Sequence, residues 1–187
     1  MKKNVITTRK IVFAALMAAL TAAGSALRIT MPLSIAGTTS FHLGNIMCAL
    51  SGVLLGPWLG GLAAGLGSAI YDMFDPIFIQ EAWLTFLMKG AYGLVAGLIA
   101  RTGKKETTYL RAMLGSLAGA VTYAVLYLIK SYYKAMWVQG VAAEAAWIVV
   151  AGKLPATIFN GAVAVIFAPI LAIAISKALK KNHLSLE

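Results

Sequence analysis

From Phe41 to Arg101 the chain reads FHLGNIMCALSGVLLGPWLGGLAAGLGSAIYDMFDPIFIQEAWLTFLMKGAYGLVAGLIAR. It is apolar almost throughout, and glycine, alanine and serine recur along it. The interruptions are few. They are a Gly56-Pro57-Trp58 turn, a short acidic and aromatic loop around Asp72, Asp75, Glu81 and Trp83, and one lysine, Lys89, inside the third run. Such a segment has too few polar side chains to face water. Its small residues suit helices whose backbones approach closely, so it reads as three membrane-spanning segments.

The rest of the chain is of the same kind. Its 187 residues are 60% hydrophobic and only 12% charged, where a soluble domain carries about 25% charged residues. At roughly 20 residues per span, this length allows six spans, short connections and no soluble domain. The expected architecture is an all-α integral membrane protein: six transmembrane helices in one compact bundle, a single membrane domain over residues 1–187. The spans fall at about 9–28, 41–56, 59–74, 84–100, 112–133 and 154–175. RITMPLSIAGTTS reads as loop, and 136–153 as a loop with a partly buried or interfacial helix that could lid the bundle. Pro155 is placed in the first turn of the last span, where its missing N–H costs nothing. The N-terminal run is long enough to span and more spans follow directly, so it is read as a first span and not as a cleaved leader.

The formal charge of +10 is segregated. Lys2, Lys3, Arg9, Lys10, Arg101, Lys104, Lys105, Arg111, Lys177, Lys180 and Lys181 all fall on one side of a six-span chain, eleven of the sixteen basic residues. The positive-inside bias then places both termini and the connector after span four in the cytoplasm. Basic residues grouped at the ends of apolar runs do not make a solvated basic face, so nucleic acid is not an expected partner. The partner they imply is the lipid bilayer.

Polar groups inside such a bundle are the candidates for chemistry. Lys89 lies about 10 Å along span four, at 1.5 Å per residue, and a charge there must be paired or reach water. Asp72, at the outer end of span three, is its expected partner. Two roles stand open for them: a clamp between helices, or contacts to a polar ligand. His42, Asn45, Trp83, Tyr92, Tyr127, Lys130, Trp137 and Asn160 fall at the same outer level. Aromatic rings with a few amides and charges suit a flat heterocycle. Taken singly, Trp83, Trp137 and the tyrosines also fit an interfacial belt. Ala14, Ala18 and Ala22 form a stripe at four-residue spacing, for packing within the monomer or for docking another protein.

Enzyme chemistry finds no support. No nucleophile elbow or zinc spacing occurs, so no metal is expected. The phosphate-binding pattern G-x-x-x-x-G-K-[ST] is absent, so the chain has no ATP site and no cofactor of its own. The lone Cys48 cannot form an intrachain disulfide. A coupled-ion carrier would want carboxylates at the midplane, and none lies there. A self-sufficient carrier or channel for a small solute is the alternative to a chain energised by a partner.

Three stretches carry a resemblance. They are the first span, AALMAALTAA; HLGN…LLGPWLGGLAAGLGSAIYD; and TFLMKGAYGLVAGLIA. Over roughly residues 9 to 101, with LPATIFNG later, the chain resembles the substrate-binding membrane subunits (S components) of energy-coupling factor (ECF) transporters. The likeness is nearest to the riboflavin-type group. It implies a six-helix subunit of a bacterial cell membrane that binds a small water-soluble vitamin from outside. It also implies partners: a membrane-embedded T subunit, met through Ala14, Ala18 and Ala22, and two ATPase subunits that alone use ATP. The pocket it implies is built from Thr30–Phe41, Trp83, Lys89, Tyr127, Trp137 and Asn160. The chain departs from the group's pattern at Asn45, where an aspartate is usual, and this bears on the choice of vitamin.

Overall fold

The computed structural model describes residues 7–35, 37–101, 107–182 and 184. Lys2, Lys3, Lys104 and Lys105 of the basic clusters lie outside them. Six α-helices and one hairpin make up the described chain: α1 (Thr8–Ala26), β1 (Arg28–Pro32), β2 (Thr38–His42), α2 (Gly44–Leu55), α3 (Pro57–Phe74), α4 (Ala82–Arg101), α5 (Tyr109–Trp137) and α6 (Ala143–Lys181). A short 3₁₀ turn, Ile79–Glu81, leads into α4.

The shortest helix is the centre. Ten of the twelve residues of α2 are buried, and it touches all five other helices. The others surround it, with α1 against α3, α3 against α4, α4 against α5 and α5 against α6. Four helices are long and apolar enough to cross a membrane: α1, α4 with its preceding turn, α5 and α6. α2 is too short. α3 has the length, but four glycines and Asp72 dilute its apolar character. Its outward face is still greasy, with Leu62, Leu66 and Ile70 all exposed. This inside-out distribution suits a lipid surround.

Small residues let the rods close on α2. A Cβ on Gly52 of α2 would stand 2.2 Å from the Gly93 carbonyl oxygen of α4. One on Gly67 of α3 would stand 2.1 Å from the Ala18 oxygen of α1. Gly56 ends α2 at φ 82°, a conformation glycine adopts without strain, and Pro57 opens α3 at once.

Two expectations are corrected, the loop after α1 and the place of Pro155, while the partly buried helix within 136–153 is observed as part of α6. The stretch after α1 is a β-hairpin, not loop: β1 and β2 pair antiparallel in the register Arg28↔His42 to Pro32↔Thr38, with Leu33 N–H bonded to the Gly37 carbonyl at 3.0 Å. Residues 136–153 are the end of α5, a turn holding Gly140 at φ 66°, and the beginning of α6. There Ala146 and Val149 pack on Ala135, with Leu33 of the hairpin against them. Pro155 therefore lies well inside a continuous helix. Packing against α5 and the hairpin holds the first turns of α6 in helix ahead of the proline.

Candidate functional site

Successive helices alternate in direction. The ends of α1, α3 and α5 thus meet the starts of α2, α4 and α6. A cleft of about 60 Å³ opens there, well above the roughly 10–15 Å³ of a single water. It lies at the end opposite Arg9, Lys10, Arg101, Arg111 and Lys177.

Its walls follow from the hairpin, the α3–α4 loop and two tyrosines. β2 supplies Thr39, Ser40 and His42. This strand is fastened to α6 by one side chain: Asn160 Oδ1 accepts from the His42 N–H at 3.0 Å, and its Nδ2 donates to the Ser40 carbonyl at 2.8 Å. The amide thereby pairs an otherwise open strand edge. The His42 Nδ1 is buried without a hydrogen-bond partner. From α5, Tyr123 and Tyr127 stack with centroids 5.6 Å apart and planes 18° from parallel. Tyr92 of α4 continues the ladder below, 6.1 Å from Tyr123.

Charges are arranged in two pinned groups and one loose end. Arg28, at the start of the hairpin, reaches Asp72 at 3.4 Å and Asp75 at 3.5 Å. Its Nε donates to the Ser25 carbonyl at 3.1 Å, and the guanidinium sits 4.5 Å from the Tyr71 ring and 4.6 Å from that of Phe78. Glu81 holds both Lys130 and Lys134, tying the α3–α4 loop to α5. Lys89, 3% exposed, donates to Asn45 Oδ1 and lies 4.0 Å over the face of Tyr123. Replacing Glu81 by Gln is expected to lower stability by about 1.5–3 kcal/mol, as charge-assisted hydrogen bonds are lost. The measurement is the thermal unfolding midpoint in detergent, and an unmoved midpoint would show the two lysines to be held by water instead.

The cleft brings together His42, Asp72, Lys89, Tyr127, Lys130 and Asn160. Asn45 lies behind it, 1% exposed, as the partner of Lys89. Tyr92 is fully buried below it. Trp83 and Trp137 stand outside, 63% and 76% exposed. Six residues separate Trp83 from Lys89, roughly 240° around the helix at 3.6 residues per turn, so an inward Lys89 turns Trp83 outward. The expected Lys89–Asp72 pair does not form: Arg28 takes Asp72, and Lys89 turns to Asn45. Arg28, Glu81, Tyr123 and Thr157 also line the cleft and are not among the site residues expected from the sequence. Tyr123 had a signal, since it precedes Tyr127 by one helical turn on the same face. Arg28 had none, because only the hairpin carries it back over α3. On α1, Ala14 and Ala18 pack against the core and Ala22 is half-buried, while Ala15, Ala19 and Ala23 on the adjoining face are exposed. Among the described residues no three His, Cys, Asp or Glu side chains group as metal ligands.

Residues 5–180 match the family described as the ECF-type riboflavin transporter, S component. The chain belongs to this family. S components are membrane proteins and transporter subunits, not enzymes. The fold of this S component is similar to that of a solved structure reported as the S component of a bacterial ECF transporter. The TM-score is 0.68 at 17% identity, over 92% of this chain and 98% of that one. A protein from Pyrococcus woesei, described as an uncharacterized protein in a gap 3′ region, is 34% identical over 91 residues. The match takes in 49% of this S component and spans about 58% of that relative's length.

Proposed function

We propose that this S component captures a small water-soluble vitamin from outside the cell, with riboflavin the first candidate, and hands it across the membrane with an energising partner. The observation that carries the reading is the cleft. Stacked Tyr123 and Tyr127 offer a flat apolar wall, and one polar atom of the lining, His42 Nδ1, is buried without a partner. A planar ring with carbonyl and N–H groups along its rim meets both demands.

The cleft's position supports capture from outside. It faces away from the basic end, and the positive-inside bias assigns that end, with both chain termini, to the cytoplasm. In this orientation α3 crosses beside the four longer helices, while α2, 12 residues and about 18 Å long, is enclosed by the other five within the bundle. The cell membrane of a bacterium is the proposed setting. No ATP-binding pattern occurs in the sequence, so a T subunit and two ATPases are the proposed source of energy. The α1 face proposed to meet the T subunit is led by the exposed Ala15, Ala19 and Ala23, with Ala14, Ala18 and Ala22, half-buried against the protein's own helices, along its edge.

Riboflavin is yellow, so the test is direct. The purified chain is expected to carry flavin absorbance or to bind added riboflavin at nanomolar concentration without ATP. In proteoliposomes it is expected to give no net uptake until T subunit and ATPases are added. Failure to bind any member of a vitamin panel would refute the capture reading. Uptake by the chain alone under a proton or sodium gradient would establish the carrier alternative.

A further inference from the structure

Among the described residues, the carboxylates around the cleft are already taken. Asp72 and Asp75 hold Arg28, and Glu81 holds Lys130 and Lys134. No carboxylate of the described residues lies within 4.0 Å of the Lys89 ammonium. An ammonium has three N–H donors. Asn45 Oδ1 accepts one, and the face of Tyr123, 4.0 Å away, receives the charge on a second side. Both partners are neutral. Lys89 itself lines the cleft, so the remaining direction is open to whatever enters. A second buried lysine, Lys153, donates to Ser131 Oγ at 3.1 Å but stands off the cleft, beyond Tyr127. Among the described residues, Lys89 is the cleft-lining charge that no opposite charge holds.

We propose that Lys89 is the specificity-determining charge of the cleft and that its counter-charge comes from the ligand. The ligand would present an electron-rich oxygen, an imide carbonyl or a carboxylate, against the ammonium, and a positively charged heterocycle would be rejected. This rests on the reading of the cleft as the vitamin site. The physical ground is that a charge buried at membrane depth must be matched by an opposite or strongly polar group. A neutral amide leaves that match incomplete. Selectivity then arises because a cationic ring would add repulsion to a charge that no carboxylate offsets.

Asn45→Asp tests the idea by giving Lys89 a carboxylate inside the protein. Lys89→Met risks misfolding, so it serves as the second variant. The full chain is purified in detergent, melted without ligand, and titrated with riboflavin and with thiamine, whose ring is permanently cationic. Riboflavin 5′-phosphate and lumiflavin, which lacks the ribityl arm, separate an anionic arm from the ring carbonyls as the source of the oxygen. The expected results are a higher unfolding midpoint for ligand-free Asn45→Asp and, in Lys89→Met, at least a tenfold loss of riboflavin affinity. In both variants discrimination against thiamine should narrow. An unmoved ligand-free midpoint in Asn45→Asp, or discrimination against thiamine that it leaves unchanged, overturns the proposal. A parent chain that binds neither vitamin refutes the riboflavin reading, and the ligand-free midpoint of Asn45→Asp then decides the role of Lys89 by itself.

Discussion

Gly67→Val is expected to leave the protein unable to hold α1 against α3, with a loss of about 3 kcal/mol or more. The valine Cβ would stand 2.1 Å from the Ala18 carbonyl oxygen and 2.8 Å from the Thr21 Cβ. The first is a backbone atom that no rotamer change can move. Relief requires the two helices to part, which removes packing along the whole face and unseats Ser25 and Arg28 from the cleft. Against a total stability of about 5–15 kcal/mol, such a loss is expected to show as aggregation on extraction or a sharply lowered unfolding midpoint. Gly90→Ala is the matched control. Its Cβ would meet only the Gly61 oxygen, at 3.5 Å, an ordinary contact. Alanine also favours helix over glycine by about 1 kcal/mol, so the control should melt at or slightly above the parent. Equal loss in both variants would mean that glycine serves here for some reason other than close approach.

The second large effect is expected at Asn160. Replacing it by Leu keeps the volume but removes both hydrogen bonds to β2, leaving the His42 N–H and the Ser40 carbonyl without partners. Each buried backbone group so stranded costs about 1–3 kcal/mol. β2 is paired on its other edge only by the five-residue β1, so the hairpin is expected to swing free of α6. Thr39, Ser40 and His42 leave the cleft with it. Ligand affinity is then expected to fall more than tenfold, with faster proteolysis within the hairpin. Asn160→Asp keeps the acceptor and loses the donor, and should fall between Leu and the parent. A Leu variant with unchanged affinity would show that the hairpin is held by Phe41 against Phe159, whose rings meet edge-on at 5.3 Å.

The sequence made the general plan legible because the plan depends on solvent. Apolar runs, their lengths and the grouping of lysine and arginine at one end are statements about a lipid environment, and they hold whatever the helices do to one another. Which end carries the cleft was readable for the same reason: Asp72, Lys89, Tyr127 and Asn160 fall at one level once the helices alternate. Helix angle alone also separates Trp83 from Lys89, though only after one of them has been assigned inward.

What the sequence could not show was which side chains meet. In water, apolar periodicity marks the inward face of a helix; in lipid both faces are apolar, and that contrast vanishes. Small residues are the signal that remains, and they do not say which neighbour they admit. So α2 reads as a short span until its burial on every side makes it the hub. The exchange of partners at Asp72 depends on a hairpin that brings Arg28 over α3, and Asn160 gains its role only because an open strand edge comes to rest beside it. Composition settled the solvent of this chain, and charge order marked one end of its bundle as basic. Contacts between residues far apart in sequence decided the site, because in a bilayer only direct contact distinguishes inside from outside.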